Sequence, residues 1–190
     1  MKNKKGLIIA LAIIAVIAII AGSIVSSYNS LVDERETVTN AQANIQTMLQ
    51  RRADLIPNLV NTVKGYAAHE EEVYTAIADA RSKLSGATTV DEMEKANSEL
   101  DSAISRLLVV VENYPELKAD TQFINLQDEL AGSENRISVA RKDYNDVAKA
   151  YNTHIKKFPA NIIASMFNFE QAEYFEASSE AQTAPSVNFD

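Results

Sequence analysis

The sequence predicts an all-α protein: an N-terminal transmembrane helix followed by an elongated antiparallel bundle of three or four long helices. Three observations support this prediction. An uncharged apolar run, Leu7–Val25, lies near the N terminus. Apolar residues recur at intervals of three and four along the rest of the chain, and no segment alternates with period two. Residues that favour turns are sparse, with 5 Gly and 4 Pro among 190 residues.

These patterns divide the chain into four parts. Residues 1–6 form a short basic N terminus, and residues 7–27 form the transmembrane helix. Residues 28–170 form the helical bundle. Residues 171–190 are a polar tail that we expect to be disordered, because it has few apolar residues to bury, with Tyr174-Phe175 left open as an exception.

The run Leu7–Val25 has the length of a membrane span. As a helix it extends about 28 Å, close to the hydrocarbon core of about 30 Å. The apolar region of a cleaved signal peptide is shorter and ends in small residues, whereas here Ile24 and Val25 follow the small cluster Ala21–Ser23. The sequence therefore favours an uncleaved anchor, and the lipid bilayer is the first expected partner.

Basic residues near the two ends of this run predict its orientation, since Lys and Arg favour the cytoplasmic side. Three lysines precede the run, whereas the first basic residue after it, Arg35, stands among acidic residues. We therefore expect a cytoplasmic N terminus and an extracytoplasmic bundle.

Charge and cysteine content exclude several classes of function. The net charge is −8, and the bundle is more acidic still because the N-terminal lysines precede it. Such a body repels a phosphate backbone, so we expect no nucleic-acid partner. The chain has 0 Cys, which excludes disulfides and thiolate metal sites.

The bundle begins with a long helical pattern. An alternation of three and four residues between mostly apolar positions runs from Tyr28 to Leu84, as in helices that pack along a seam. Pro57 interrupts this pattern without shifting its register, and a proline removes one backbone hydrogen bond. A kinked long helix and a corner between two helices, with Asp54 as the N-cap of the second, both fit the sequence.

Further helices follow this first pattern. The segment Ser85–Thr89 ends it, and the next helix carries apolar residues on one face before Asn113–Pro115 turns the chain. The last pattern runs from Phe123 to Phe158, with a bend or break at Gly132-Ser133 left open. Because amphipathic helices with short connections bury their apolar faces against one another, an antiparallel bundle is expected.

A set of short stretches is more specific together than any one of them alone. In order, they are YNSLV (28–32), RRADLIPNLV (51–60), HE (69–70), AR (80–81), ENYPELKA (112–119), FINLQDEL (123–130), ENRISVARKDYN (134–145), YN (151–152) and FP (158–159). In order and spacing this set resembles the bacterial LemA family over roughly residues 7–167. The resemblance implies a membrane-anchored, long antiparallel helical bundle of the bacterial cell membrane, with no established enzymatic activity. One branch of that family is linked to magnetosome membrane formation, and nothing in the sequence identifies this chain with that branch.

The residues that most resemble a catalytic motif lack its second half. The stretch HEEEV at residues 69–73 begins like a zinc-protease motif, but Val73 stands where the second histidine is required. Di-iron bundles use Glu-x-x-His pairs, and Tyr66 and Tyr151 stand three residues before the two histidines. We therefore expect no catalytic residue, metal site or cofactor, and we predict that the protein is not an enzyme.

Several charged residues lie in or beside the apolar seams. Unpaired charge inside a bundle is costly, so we expect these residues to form an interhelical polar network of ion pairs that fixes the register. The proposed members are Arg52, Glu70, Arg81, Glu112, Glu134 and Arg141. The functional alternative is a polar groove that binds a ligand or a partner.

A dense apolar group lies just before the tail, within residues 161–169. Its members are Ile162, Ile163, Met166, Phe167 and Phe169. One interpretation is a short helix that covers the end of the bundle. The other is a contact patch for a partner protein or for the lipid interface.

The leading hypothesis is a membrane-anchored, non-catalytic helical scaffold or adaptor of the bacterial envelope. It would act through protein–protein contacts with unknown membrane or envelope proteins, and self-association into a homo-oligomer is also open. The alternative is a ligand- or stress-sensing binding module that uses the polar seam of the bundle.

Overall fold

The computed structural model describes residues 2–176, with side chains from residue 6 onward. These residues form six helices: α1 (Lys2–Lys64), α2 (Glu71–Gly86), α3 (Val90–Val111), α4 (Pro115–Lys118), α5 (Thr121–His154) and α6 (Ala160–Met166). No strand occurs within this range. The predicted all-α class is confirmed. Residues 177–190, which make up most of the predicted polar tail, lie outside the described range.

The first part of α1 is long and apolar enough to cross a membrane. Side chains 7–25 are all exposed within the described part of the chain. No helix boundary follows this run, because α1 continues to Lys64. One element therefore holds both the apolar run and a helix of the bundle.

The chain forms two compact units. Of the described residues, unit 1 comprises 2–40 and 146–172, and unit 2 comprises 41–145 and 173–176. Unit 2 thus contains the second part of α1, the whole of α2, α3 and α4, and most of α5. Unit 1 contains the first part of α1, the end of α5 and the whole of α6.

The long helices of unit 2 are antiparallel neighbours. Gln42 at one end of its α1 segment donates to the carbonyl of Thr88 beyond the end of α2, whereas Arg81 within α2 donates to the carbonyl of Ala53. Residues with increasing numbers along α1 therefore lie beside residues with decreasing numbers along α2. The same holds between α1 and α5, since Arg52 contacts Glu134, whereas Tyr66 just after α1 donates to Asp120 just before α5. These contacts confirm the predicted antiparallel bundle for this unit.

The core of unit 2 follows the predicted alternation. Its helices contribute apolar side chains that are almost completely buried, and they meet along the middle of the bundle. Among the largest are Ile45, Leu49, Ile56, Leu59, Ile77, Met93, Leu100, Leu107 and Phe123. Each such side chain adds roughly 1.5–3 kcal/mol of hydrophobic stabilisation, so packing of this seam is the main source of stability.

Polar residues cap two helices of unit 2. The hydroxyl of Thr89 accepts a hydrogen bond from the amide of Glu92, whose carboxylate accepts from the amides of Thr88 and Thr89. These backbone amides, Thr88 first, lower the pKa of Glu92. Asp120 caps α5 in a similar way, and the amide of Phe123 is the main cause of its lowered pKa. Both carboxylates therefore favour the folded state when ionised.

Pro57 lies inside α1, so the proline does not separate two helices. It has no N–H, and the backbone bond that would normally end at the carbonyl of Ala53 does not form. The guanidinium of Arg81 replaces that donor, since its Nε donates to the Ala53 carbonyl oxygen at 2.9 Å. Gly132 and Ser133 also lie inside a helix, α5, and do not break it.

Unit 1 packs the first part of α1 against the end of α5 and against α6. Leu31 and Val38 from α1, together with Tyr151 and Ile155 from α5, are buried in it. Two residues after the end of α6 at Met166, an asparagine takes the left-handed conformation: Asn168 has φ 58°. The amide of the next residue, Phe169, donates to the carbonyl of Ala164 at 2.9 Å. This ending returns the chain toward α1.

Candidate functional site

The most polar part of the interior of unit 2 surrounds Arg52, whose side chain is only 5% exposed. Its Nη1 donates to Glu134 Oε2 at 2.5 Å and to Asn97 Oδ1 at 2.7 Å. Its Nη2 donates to Asp101 Oδ1, and Asn97 Nδ2 donates to the other oxygen of the same carboxylate at 2.9 Å. We call these four residues, Arg52, Asn97, Asp101 and Glu134, the Arg52 cluster.

The Arg52 cluster joins three helices. Arg52 lies on α1, Asn97 and Asp101 lie on α3, and Glu134 lies on α5. The two carboxylates are 42% and 40% exposed, so water also reaches them. One buried positive charge therefore meets two partly hydrated negative charges, an arrangement that favours one register of the three helices.

The sequence prediction named two members of this cluster and missed two. Arg52 and Glu134 belong to the proposed set, and the structure places them in direct contact. Asn97 and Asp101 do not belong to it. The signal that was available for Asn97 is its position between Met93 and Leu100, on the buried face of α3.

The structure does not bring the other four proposed members into the Arg52 cluster. Arg81 bonds to the backbone beside Pro57, as described above. Arg141 lies over the ring of Phe175 at 5.5 Å, and its Nε and Nη2 are buried without a hydrogen-bond partner in the described part of the chain. Glu70 is half-buried and Glu112 is exposed. Within residues 6–176 neither of these glutamates forms an ion pair.

A second polar feature of unit 2 holds the segment that follows α6. The side-chain amide of Asn145 donates to the carbonyl of Phe175 at 2.8 Å and accepts from its amide at 3.0 Å. The hydroxyl of Tyr144 donates to the carbonyl of Glu173 at 2.9 Å, and its ring meets the buried ring of Phe175 edge to face. Burial is the main cause of the raised pKa of Tyr144.

Unit 1 contains the same arrangement one heptad later on α5. Asn152 donates to the carbonyl of Ala172 and accepts from its amide, each at 2.8 Å. Tyr151 donates to the carbonyl of Glu170 at 2.9 Å. Burial is the main cause of the raised pKa of this tyrosine.

Side chains of α5 therefore hold part of the predicted tail in each unit. Asn152 bonds to the backbone of Ala172 in unit 1, and Asn145 bonds to the backbone of Phe175 in unit 2. The prediction of disorder for 177–190 lies outside the described residues.

An aromatic cluster in unit 1 lies just beyond the apolar run. The ring of Tyr28 packs edge to face on Phe167 at 4.7 Å and on Phe169 at 5.7 Å, and Arg35 lies over Phe169 at 5.3 Å. Nearby, His154 Nδ1 lies 2.8 Å from Glu34 Oε1.

The predicted contact patch is divided between interior and surface. Ile163 and Phe169 are buried, as expected for a helix that covers part of the bundle. Ile162, Met166 and Phe167 are exposed. The buried residues fit a helix that covers part of the bundle, and the contact patch stays a prediction for the exposed ones.

No group of three or more His, Asp or Glu side chains in the described part of the chain is placed to hold a metal ion. His69 is exposed, and His154 pairs with one carboxylate.

This chain is similar to LemA proteins and to magnetosome MamQ proteins. The model of the LemA family matches residues 41–189. Magnetosome protein MamQ 2 of Paramagnetospirillum magneticum is 28% identical over 94% of this chain and 76% of its own length. Protein LemA of Metamycoplasma hominis is 29% identical over 79% of this chain and 69% of its own length. Magnetosome protein MamQ of Magnetospirillum gryphiswaldense is 25% identical over 93% of this chain and 74% of its own length.

Proposed function

This chain belongs to the LemA family, and from that membership and its structure we propose that it is a membrane-anchored helical scaffold or adaptor of the bacterial envelope. It is non-catalytic and acts through protein–protein contacts. Its partners are membrane or envelope proteins, and a second copy of the chain is one candidate.

The observation that carries this proposal is the continuity of α1. The apolar run at its start and the helix that supplies Arg52 to unit 2 are parts of one helix, Lys2–Lys64. A bundle joined to an anchor in this way stays at the membrane and presents its surface there, which raises its local concentration toward other membrane proteins. The relatives named as magnetosome proteins support a membrane setting.

The Arg52 cluster supports a packing role for the polar interior. The Nη donors of Arg52 and the acceptors around them bond to one another, and the two carboxylates are 42% and 40% exposed. Only Arg52 Nε is buried without a hydrogen-bond partner among the cluster's atoms in the described part of the chain. A ligand groove would instead need polar groups that point into an open space. The geometry therefore favours the scaffold over the ligand-sensing alternative.

The orientation in the membrane is part of the proposal. The three lysines before the apolar run favour a cytoplasmic N terminus, which places the bundle outside the cytoplasm.

Photocrosslinking in living cells tests the adaptor function. A photoreactive phenylalanine analogue replaces Val109 on α3 or Val139 on α5, two exposed apolar residues of unit 2, in the full chain. The control carries the same analogue at Ile14 in the apolar run. We expect a discrete adduct from at least one of the two bundle positions, and mass spectrometry identifies a second protein or a second copy in it. Adducts from the Ile14 position alone would show an anchored protein without adaptor contacts.

A further inference from the structure

Unit 1 exposes a group of large apolar side chains around α6. Phe158 is 81% exposed, Met166 68%, and Ile162 and Phe167 50% each. We call these four residues the α6 face. Ile162 and Met166 are four residues apart and share one side of the helix, whereas Ala160, Ile163 and Ala164 are buried on the other side. The helix thus has two apolar sides, of which one remains uncovered in the described structure.

The α6 face lies close to the end of the apolar run. Phe167 packs on Tyr28 at 4.7 Å between ring centroids. Tyr28 follows Val25 by three residues, which is about 4.5 Å along a helix. The headgroup layer on each side of the hydrocarbon core is about 5–8 Å thick, and tyrosine is enriched there. If the run spans the bilayer, Tyr28 and Phe167, at one end of the α6 face, lie at the depth of this layer.

We propose that the α6 face lies in the membrane interface, with its apolar side chains at the boundary between headgroups and acyl chains. This inference rests on the proposed membrane anchor. The partner is the lipid surface itself, and α6 adds a second contact with the membrane beside the transmembrane helix.

Two features of unit 1 favour lipid as the occupant. The anchor holds the α6 face at the interface without a separate binding event, so even a small apolar surface is populated there. Lys156 and Lys157 are exposed next to Phe158, so the proposed placement brings their charges to the headgroups. Amphipathic elements that lie in the interface commonly combine such apolar and basic residues.

Depth measurements with spin labels test this proposal. The chain has no cysteine, so single cysteines can be introduced as Phe158→Cys, Ile162→Cys and Met166→Cys and labelled specifically. The full-length protein is placed in lipid nanodiscs, which contain no other membrane protein. Collision rates with oxygen, which concentrates in lipid, and with a water-soluble nickel chelate then report the depth of each label.

Two further label positions provide the controls. Glu36 is exposed on α1, and Ile17 lies in the middle of the apolar run. We expect the labels at 158, 162 and 166 to have oxygen-to-nickel collision ratios severalfold above that of the Glu36→Cys label and below that of the Ile17→Cys label. Ratios equal to that of Glu36→Cys, with Ile17→Cys in lipid, would overturn the interfacial placement alone. A water-exposed Ile17→Cys label would overturn the membrane anchor and this inference with it.

A second set of variants checks that the effect comes from apolar contact. Replacing Ile162 and Met166 by Ser should lower the collision ratio of the label at 158, because the face then loses its affinity for the acyl region. Replacing the exposed neighbours Asn161 and Ser165 by Ala should leave the ratio unchanged. Equal effects from the two pairs would contradict the proposed lipid contact.

Discussion

The contact between Arg81 and the backbone beside Pro57 makes a sharp prediction about stability. Pro57 leaves the carbonyl of Ala53 without a backbone donor, and Ala53 is completely buried. Arg81 Nε supplies the missing hydrogen bond. Arg81→Met keeps most of the aliphatic stem and removes this donor, so the carbonyl loses its partner.

The expected cost follows from the environment of that bond. A hydrogen bond to a charged group contributes about 1.5–3 kcal/mol, and an unsatisfied buried acceptor costs about 1–3 kcal/mol. Arg81 is half-buried, so water replaces part of what is lost. We therefore expect Arg81→Met to lower the free energy of unfolding by about 1–2 kcal/mol. In a Pro57→Ala background the new N–H at position 57 satisfies the carbonyl, and the same substitution should cost about 0.5 kcal/mol or less.

Urea denaturation measures this double-mutant cycle. The full chain in small lipid vesicles is unfolded while circular dichroism at 222 nm follows the loss of helix, for the parent protein, the two single variants and the double variant. Lys83→Met is the control, because the ion pair between Lys83 and Glu99 is exposed at both ends and does not involve Pro57. Equal costs of Arg81→Met with and without Pro57 would refute the reasoning, since independent sites are additive.

Three further predictions concern other parts of unit 2. Arg52→Met should lower the free energy of unfolding, measured by urea denaturation, by about 2–3 kcal/mol. This is less than the cost for a fully buried pair, because the two carboxylates rehydrate. The control Arg51→Met, at an exposed neighbour, should change the free energy of unfolding by about 0.5 kcal/mol or less. Asn145→Ala should speed amide hydrogen exchange at Phe175, and unchanged exchange would show that the asparagine does not hold this segment. The folded-state pKa of Asp120 is lowered, so its stabilising effect is present above the ordinary pKa of an aspartate and is lost as the pH falls through the folded-state pKa. Denaturation between pH 6 and pH 2 should therefore show a stability advantage over Asp120→Asn that shrinks toward the acid end.

The helices and their seams were predictable because they depend on local periodicity. The alternation from Tyr28 onward predicted the buried positions Leu31, Ile45 and Leu59, since each helix repeats its buried face at a fixed spacing. The sequence did not decide whether Pro57 kinks one helix or separates two. Whether it ends a helix depends on a donor for the Ala53 carbonyl, and that donor lies 28 residues further along the chain.

The polar interior was predictable only in part. Arg52 was recognised as a charged residue in an apolar seam, which indicates a partner without identifying it. Asn97 and Asp101 became its partners because α3 turns that side toward α1, and the rotation of one helix against another depends on packing. In the same way, the helical phase of α6 decides that Ile163 is buried and Ile162 exposed.

The spacing of the two Tyr-Asn pairs can be read from the sequence, but the hydrogen bonds that they form cannot. Tyr144 and Tyr151 are seven residues apart, a spacing that places both on one face of a helix. Nothing in that spacing indicated that the asparagines bond to the backbone of residues 172 and 175, because such bonds do not depend on the side chains of the bound segment. Backbone recognition of this kind leaves little trace in a sequence.

Alkaline extraction of membranes tests most directly whether the apolar run of α1 holds the helical bundle at the bilayer. Cells produce either the full chain or the variant Ile14→Lys/Ile17→Lys, whose two charges each cost about 2.5–3.5 kcal/mol at the centre of a span. After carbonate treatment the full chain should remain in the membrane pellet, and the variant should move to the supernatant with its helical circular dichroism retained. Release of the full chain into the supernatant under the same treatment would contradict the membrane anchor.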